Sequence, residues 1–587
     1  MTLSWLTPGF RFFSCSFFGL VTYSAILALC FSSGVMVNDD IAMMSFASGD
    51  FTGTPESQLV FIGILIGGLL KLLYTLNSAL PWYALVLVFT QIFSGATLLT
   101  ILHKFLKGWR NRPFVCVASL VALITPTLVL DLSFSTTAMY TSVVGLACLT
   151  MTLENYREQG ALVLVAIAFI LIFASSLRSD FFLAAVLLML PMYLLHTHKL
   201  SKSRVLLTLG LLLLPVASQF AQNQISNTSD WESYQKFNEL RGSLHGTPGL
   251  LHFVSTAYEE ETIEKIREFG WESEDLLLFG SWYFEDDQLF NISSLEKLKE
   301  NIVAGVTKIP LQPALENVIF GKELIILFGL VMVFFGTGLT VNKHKNFLVL
   351  QVLWFFSVAV YISSSSRFPD RFAVGAIVGL FICILTSNMV LLRRQSLGNF
   401  CSESQLRKKG VFFFMCLAFT GVFLIPHKFS ASQISNQNEI ESVRLKSELQ
   451  GFDDIDPYGT FVYVGAQISA EGISPWSERT LLANKRFLGL GWASQSPHQE
   501  KRKQSMGLDG NFFDRFFLSQ FIDERHNYLF TTRYIAELLE YSFERRTEKL
   551  VKLVAIKELP YGTAFRLVSE DNETLSSKKS KPAKGQR

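Results

Sequence analysis

The chain has little charge and no cysteine pattern, and each of these deficits excludes a class of protein. Only 17% of its 587 residues are charged, whereas 50% are hydrophobic, so a purely soluble domain is not expected. The seven cysteines show no paired or metal-like spacing and avoid the two large polar segments, 221–317 and 427–587, which excludes a disulfide framework. No Walker-type loop, HExxH or GxSxG motif occurs, which removes several soluble-enzyme chemistries.

Long apolar runs are what the sequence has in abundance. A helix crosses a hydrocarbon core with about 20 apolar residues, so the chain is predicted to be a polytopic α-helical membrane protein with about 11 transmembrane helices. The predicted spans lie near 12–34, 82–102, 114–132, 135–152, 161–177, 181–195, 205–220, 318–340, 347–362, 372–392 and 411–426.

The loops between these runs sort by charge. One set contains Lys or Arg in every member: HKFLKGWRNR, ENYREQG, HTHKLSKSR, VNKHKN and RRQSLGNFCSESQLRKK. The positive-inside rule places these loops and the N-terminus on the cytoplasmic side of the membrane, which we expect to be a bacterial inner membrane. The acidic stretch 35–58, the segment 221–317 and the C-terminal region are then extracytoplasmic.

This topology predicts three parts of the chain. Residues 1–426 form a transmembrane domain, which includes an outer loop at 35–81 and the outer segment 221–317. Residues 427–575 are predicted to form an extracytoplasmic α/β or α+β domain, because 451–570 mixes the strand-like runs GTFVYVGAQIS, KLVKLVAIKEL and TAFRLVS with a helical pattern, RYIAELLEYSFERRTEKL. The last residues, 576–587, are basic and of low complexity, and are predicted to be disordered.

One apolar run conflicts with the charge pattern. The stretch Leu59–Leu76 is apolar enough to span, but a span here would move every later basic loop to the outside. We therefore interpret it as an interfacial or re-entrant helix, with Lys71 reaching the headgroups. The alternative, a true span with a broken charge pattern, stays open.

Ionisable residues gather at the helix ends of the predicted outer face. Carboxylates there suit a general base, and guanidinium groups suit the neutralisation of a leaving phosphate. Each has a structural alternative: a helix cap or solvated loop for the acids, and contact with lipid headgroups for the arginines. The residues are Asp39, Asp40, Asp131, Arg178, Asp180, Arg367, Asp370 and Arg371.

The layout resembles the GT-C superfamily of integral-membrane glycosyltransferases. The residues that carry the resemblance are the acidic pair in Asn38-Asp39-Asp40 behind the first helix, the interfacial apolar helix that follows, and the run from Thr52 to Tyr83. Asp131 lies where several members carry a second functional carboxylate. The resemblance covers about the first 200 residues, and it implies transfer of a sugar from a polyprenyl-phosphate donor to a hydroxyl of a glycan, lipid or protein.

The resemblance also implies roles for residues. Asp39 or Asp40 would be the general base, with Asp40 slightly favoured, and the pair could bind a divalent cation, Mg²⁺ or Mn²⁺. Arg178, Arg367 and Arg371 are candidates for the donor phosphate, by position alone. Further residues are expected to line the substrate site: Glu56, Lys71, Asp180, His245 and Trp282.

The outer segment contributes aromatic residues that suit stacking on a sugar. These are Trp271, Trp282 and Tyr283, and the adjacent acidic run Glu285–Asp287 is expected to be a solvated surface. His245, beside Gly246 and Pro248, also fits an ordinary turn residue.

Three other functions compete with a glycosyltransferase. A flippase would place charges at the membrane midplane, whereas here the helix interiors are almost free of charge. A lipid-linked glycan polymerase or ligase would rely on outer-loop arginines and a histidine. A scaffold would not need so many helices. In every membrane-enzyme interpretation the partners are the bilayer, a lipid-linked sugar and an acceptor, and no nucleic acid is expected.

Overall fold

The computed structural model describes most of the N-terminal half of the chain and most of the C-terminal polar region. The predicted spans near 318–340, 347–362, 372–392 and 411–426 lie outside the described residues, apart from a few single positions. The described residues are 8–35, 38–105, 112–154, 161–197, 202–226, 228–245, 247–305, 431–464, 473–476, 486–508, 521–522, 526–547 and 551–569, with 353, 354, 357, 358 and 382.

The N-terminal part is a bundle of long apolar helices that coincide with the first seven predicted spans. Among the described residues, four of them (α1, α4, α6 and α9) are long and apolar enough to cross a membrane. The prediction of a helical membrane protein holds in this form, and the full number of spans stays a prediction. The helices are α1 (Pro8–Cys30), α4 (Trp82–Phe105), α5 (Arg112–Leu130), α6 (Phe134–Glu154), α7 (Ala161–Leu177), α8 (Ser179–Thr197) and α9 (Lys202–Ser226).

Helix α6 lies at the centre of this bundle, with its most apolar stretch wholly buried. Hydroxyl groups are costly in such a place unless they are hydrogen-bonded. Thr137 donates to the carbonyl of Ser133 and Ser142 to that of Ala138, each at 2.7 Å, one turn earlier on the chain. Helices α1 and α9 are peripheral, and their large apolar side chains remain exposed on the outside, where lipid would cover them.

Two short strands join the ends of the bundle helices. β1 (Gly34–Val35) follows α1, and β2 (Asp131–Leu132) connects α5 to α6. The strands pair in parallel, with Gly34 opposite Asp131 and Val35 opposite Leu132. The acidic helix α2 (Asn38–Ser48) begins shortly after β1, so this pairing brings the acidic pair Asp39-Asp40 and Asp131 to one end of the bundle.

The apolar run after α2 forms a short helix. Helix α3 (Ile64–Leu76) has 13 residues, which gives a length of about 20 Å, against about 30 Å for a hydrocarbon core. The length favours the interfacial interpretation of this run. Lys71 is exposed on α3, as that interpretation requires.

The start of α3 is fixed against the bundle by a close backbone contact. The N–H of Gly63 donates to the carbonyl of Ser176 at 2.7 Å, and the Oε1 of Gln222 accepts from the N–H of Leu65 at 3.1 Å. A Cβ at Gly63 would clash with Oε1 of Gln222, so a larger residue would push aside the side chain that accepts from Leu65. The interfacial helix is therefore anchored to α7 and α9.

The outer segment after α9 is a group of amphipathic helices. Apolar residues at intervals of three and four place one side of each helix in a common core. Its helices are α10 (Ser229–Leu244), α11 (Pro248–Ser255), α12 (Glu260–Arg267), α13 (Ser273–Gly280) and α14 (Ile292–Gly305).

The C-terminal region contains a five-stranded mixed sheet, in agreement with the predicted α/β or α+β character. The strand order is β4-β3-β5-β7-β6, with β3 parallel to both of its neighbours and β5, β7 and β6 joined in antiparallel pairs. The elements are α15 (Ala431–Ile455), β3 (Thr460–Val464), β4 (Arg486–Leu490), α16 (Pro497–Ser505), β5 (Asn527–Thr531), α17 (Arg533–Thr547), β6 (Val551–Leu559) and β7 (Gly562–Ser569).

The outer segment and the C-terminal region share one hydrophobic core. Trp271 and Phe290 belong to the same buried cluster as Val462, Leu529 and Leu539. Ionic and polar contacts cross the same boundary, including the 2.6 Å ion pair between Arg545 and Asp275. Although they are far apart in sequence, the two parts are packed as one unit.

Candidate functional site

The acidic pair lies in the first turn of α2, and its two members have different environments. Asp40 is completely buried, and its Oδ1 accepts hydrogen bonds from the backbone N–H of Phe134 at 2.8 Å and from the hydroxyl of Tyr83 at 2.9 Å. These bonds tie α2 to the starts of α6 and α4. Oδ2 of Asp40 is enclosed and has no hydrogen-bond partner among the described residues. Asp39 is partly exposed.

Burial controls the protonation of Asp40. It raises the pKa of the carboxyl from 3.8 to about 7, because the charged form loses its hydration. The charge of Asp39 adds to this rise, whereas the hydrogen bonds from the N–H of Phe134 and the hydroxyl of Tyr83 oppose it. Asp40 is thus an internal anchor of α2, whereas Asp39 is the member of the pair that a substrate can reach.

Asp131 joins the same end of the bundle through the β1–β2 pairing, opposite Gly34. Helix α15 of the C-terminal region braces both strands. The Nδ2 of Asn438 donates to the carbonyl of Leu130 at 2.9 Å and to that of Ser32 at 3.2 Å. The two loops that carry the predicted acids are therefore held together by a side chain from the far end of the sequence.

Arg178 lies over the ring of Phe134, the residue whose N–H donates to Asp40. Its guanidinium group is 5.4 Å from the centre of the Phe134 ring and donates from Nη1 to the Ser135 hydroxyl at 2.8 Å. Its Nε pairs with Asp180 at 3.0 Å, and the carboxylate of Asp180 is largely exposed. An exposed partner leaves the guanidinium able to exchange that contact for a phosphate.

Arg241 is a second guanidinium at the site, and no sequence motif indicated it. It is only 5% exposed, stacks over the ring of Trp282 at 5.1 Å, and donates from Nε and Nη2 to the Oδ1 of Asn238 at 3.2 and 2.6 Å. No described residue accepts a hydrogen bond from its Nη1, and no described carboxylate forms an ion pair with it.

The charge of Arg241 has a cost that Asp39 partly offsets. Burial lowers the pKa of Arg241 to about 10, while the nearby Tyr234 and Asp39 raise it. A buried guanidinium with only an amide as hydrogen-bond acceptor is costly unless an anion completes its partners. The environment of Arg241 is therefore suited to binding an anionic group.

Trp282 and His245 complete this side of the site. Trp282 is partly exposed and has a φ of 66°, a left-handed conformation that is unusual for a bulky residue and directs its ring toward Arg241. His245 lies 4.4 Å from Trp282 between ring centroids, and its Nε2 bonds the carbonyl of Phe279 at 2.9 Å. His245 thus supports the Trp282 ring at the end of α10.

Some expectations about the outer segment were wrong. Trp271 and Tyr283 are fully buried in the shared core, so of the three aromatics only Trp282 can stack on a substrate. Glu285 and Asp286 are buried as well, because Glu285 forms a 3.0 Å ion pair with Lys503. Only Asp287 of that acidic run is exposed.

The remaining predicted residues lie away from this cluster or outside the described part of the chain. Glu56 is buried in a 2.7 Å ion pair with Lys501. This contact gives Glu56 a structural partner in the C-terminal region. Lys71 is exposed on α3. Arg367 and Arg371 lie outside the described residues.

The acidic side chains that the structure describes do not form a metal-binding site. Within the described ranges, no three His, Cys, Asp or Glu side chains form a group that could hold a metal ion. One oxygen of Asp40 already accepts two hydrogen bonds, which leaves Asp39 as the only accessible ligand of the pair. Among the described residues, this pair therefore does not fit the predicted Mg²⁺ or Mn²⁺.

No protein-family model matches the sequence, and no curated protein matches it either.

Proposed function

We propose that the chain is an integral-membrane glycosyltransferase of the GT-C type. In this proposal it moves a sugar from a polyprenyl-phosphate donor to a hydroxyl of a glycan, lipid or protein acceptor on the extracytoplasmic face. The observation that carries the proposal is a buried guanidinium, Arg241, that stacks on Trp282 and has only an amide as hydrogen-bond acceptor, within the electrostatic reach of the partly exposed carboxylate of Asp39. In this proposal the carboxylate removes the proton of the acceptor hydroxyl, and the guanidinium stabilises the leaving phosphate.

Asp39 is assigned as the general base. The acceptor oxygen must lose a proton as it attacks the anomeric carbon, and a partly exposed carboxylate is able to reach it. This assignment departs from the slight sequence preference for Asp40, because Asp40 is enclosed and already accepts two hydrogen bonds. Asp40 then positions Asp39 by fixing the first turn of α2.

Arg241 and Arg178 are assigned to the leaving phosphate. As the bond between the sugar and the phosphate breaks, negative charge grows on the phosphate oxygens, and fixed guanidinium groups stabilise it. Arg241 is pre-oriented by Trp282 and Asn238, so little side-chain freedom is lost on binding. Trp282 also offers a partly exposed aromatic ring beside Arg241 on which a sugar could stack.

The test is a transfer assay with purified full-length protein in nanodiscs and a panel of radiolabelled polyprenyl-phosphate sugars. Wild type is compared with Asp39→Asn, Arg241→Met and the control Arg267→Met, since Arg267 is largely exposed. We expect Asp39→Asn to bind donor but to turn over about 100-fold to 10,000-fold more slowly. Arg241→Met should lose donor affinity, and Arg267→Met should behave as wild type.

Other outcomes would favour the competing functions. Transport of the donor across a vesicle membrane without transfer would indicate a flippase. Transfer that survives Asp39→Asn but fails in the arginine variants would indicate a polymerase or ligase that relies on guanidinium groups. Equal donor binding by Arg241→Met and wild type would contradict the assigned role of Arg241.

A further inference from the structure

Helix α16 of the C-terminal region contacts the loop that follows the acidic helix. The Nε2 of His498 is 2.6 Å from the carbonyl oxygen of Gln58, and the Nζ of Lys501 is 2.7 Å from the Oε1 of Glu56. Because a carbonyl can only accept, Nε2 of His498 must carry the proton. Two side chains one turn apart on α16 therefore hold the same short stretch of the loop.

The same helix also holds the end of the acidic helix and the turn after it. The ring of His498 packs on Phe46 of α2, with 4.6 Å between centroids. Arg502 lies 5.5 Å from the centre of the Phe51 ring and donates to the Phe51 carbonyl at 3.4 Å. Contacts from α16 thus extend from α2 itself through residue 58.

Helix α16 is a firm support for these contacts. It begins at Pro497 after Ser496, whose hydroxyl accepts from the N–H of Gln499 at 3.1 Å. Its Lys503 is buried in an ion pair with Glu285, which belongs to the core shared with the outer segment. A displacement of α2 would therefore require α16 to separate from that core or to release the loop.

The buried position of His498 favours the neutral ring over the protonated one. It is 1% exposed, its Nδ1 has no hydrogen-bond partner among the described residues, and Trp231 of α10 packs on its other side at 4.9 Å. The charged groups that face it are Glu56 on the loop and Lys501 on its own helix. A second proton on the ring would have no acceptor.

We propose that His498 is a positioning residue for the acidic pair, and that α16 holds α2 in its active orientation through the contacts of His498 and Lys501 with the loop at 56–58. This inference rests on the proposed function. The active arrangement then needs neutral His498. Burial lowers the pKa of His498 below 6.5, so the enclosed position of the ring is most stable above pH 6.5 and is destabilised as the pH falls below it, although Nε2 still donates to the Gln58 carbonyl after protonation.

The experiment combines hydrogen exchange with kinetics on the full chain in nanodiscs. His498→Leu removes the donor, His498→Gln keeps a donor but cannot gain a charge, and Gln504→Leu is a control on the exposed side of α16. We expect faster amide exchange over residues 38–61 in His498→Leu only, and a kcat lowered by about 100-fold with donor KM little changed. Acidification from about pH 7.5 to about pH 5.5 should loosen the wild-type segment but not that of His498→Gln.

Exchange and turnover distinguish the two proposals. If no donor is turned over by wild type, the proposed function fails, while the exchange of residues 38–61 still reports on the contact. If His498→Leu does not fold, Lys501→Met replaces it, since the Lys501 side chain is half exposed and the variant should fold. Unchanged exchange over 38–61 in whichever variant folds would overturn the inference, as would equal acid loosening of His498→Gln and wild type.

Discussion

Replacing Asp40 by Asn should separate its structural role from the catalytic role that we assign to Asp39. The amide oxygen of the variant can still accept from the N–H of Phe134 and the hydroxyl of Tyr83, so the ties of α2 to the bundle remain. Raising a carboxyl pKa from 3.8 to about 7 corresponds to about 4 kcal/mol of stability lost on ionisation. Because the folded pKa is raised, this loss is absent below pH 3.8, grows up to about pH 7 and is complete above it.

The Asn variant avoids that loss but has a cost of its own. Its NH₂ group occupies the position of Oδ2, which has no partner, and an unsatisfied buried donor costs about 1–3 kcal/mol. At about pH 8 the variant should therefore be about 1–3 kcal/mol more stable than wild type. In Asp40→Leu the Phe134 N–H and the Tyr83 hydroxyl both lose their acceptor, whereas Asp40→Asn leaves only its own NH₂ group unsatisfied, so the Leu variant should be about 1–3 kcal/mol less stable than Asp40→Asn.

The assay is thermal unfolding in nanodiscs at about pH 5.5 and about pH 8, with donor turnover measured at the higher pH. The unfolding temperature of Asp40→Asn should exceed that of wild type at the higher pH, and the difference should shrink at the lower pH. Its turnover should stay within about tenfold of wild type, unlike that of Asp39→Asn. A lower unfolding temperature at about pH 8, or loss of turnover equal to that of Asp39→Asn, would refute the division of roles.

Three further changes test other parts of the structure by the same unfolding measurement. Glu285→Gln should cost about 1–3 kcal/mol because the buried Lys503 then keeps only its ion pair with Glu500, whose side chain is half exposed, and the double change Glu285→Leu with Lys503→Met should recover part of that loss. Equal stability of the single and double variants would argue against a coupled pair. Burial raises the pKa of Glu448 from 4.5 to about 7, so wild-type stability should fall as the pH rises between these values, and Glu448→Gln should lack this dependence. Asn438→Ala should cost about 1–3 kcal/mol because it leaves the carbonyls of Ser32 and Leu130, just before the two strands, without this donor, and a neutral result would show that water replaces it.

Periodicity and local chemistry were enough to predict much of the fold. The apolar runs predicted the helices that include Trp82–Phe105 and Phe134–Glu154, and the strand-like runs near the C-terminus predicted β3, β6 and β7. The missed strands, β4 and β5, are short and are flanked by polar stretches, so a pattern of a few residues had little weight. The pairing that brings Asp131 to the acidic helix depends on a parallel strand contact that two residues cannot predict.

The site was harder to predict because its decisive property is burial. The sequence could not distinguish Asp39 from Asp40, since neighbouring helix residues differ only in the direction they face. Arg241 appears in a polar stretch that is typical of a solvated helix. One signal could have found it: the buried residues of α10 are Trp231, Tyr234, Phe237, Arg241 and Leu244, so an arginine occupies a position of the apolar stripe.

The shared core has a consequence for how the protein is made. When the ribosome has produced the outer segment, its apolar residues, such as Trp271 and Phe290, have no sheet to pack against, because Val462 and Leu529 are synthesised much later. The membrane helices can insert first, but the outer segment must wait for the end of the chain, and during this interval it exposes surface that binds chaperones or aggregates. A chain interrupted before Asn527 would lack the last three strands of the sheet and would be a candidate for proteolysis. Removal of such incomplete chains would precede assembly of the shared core.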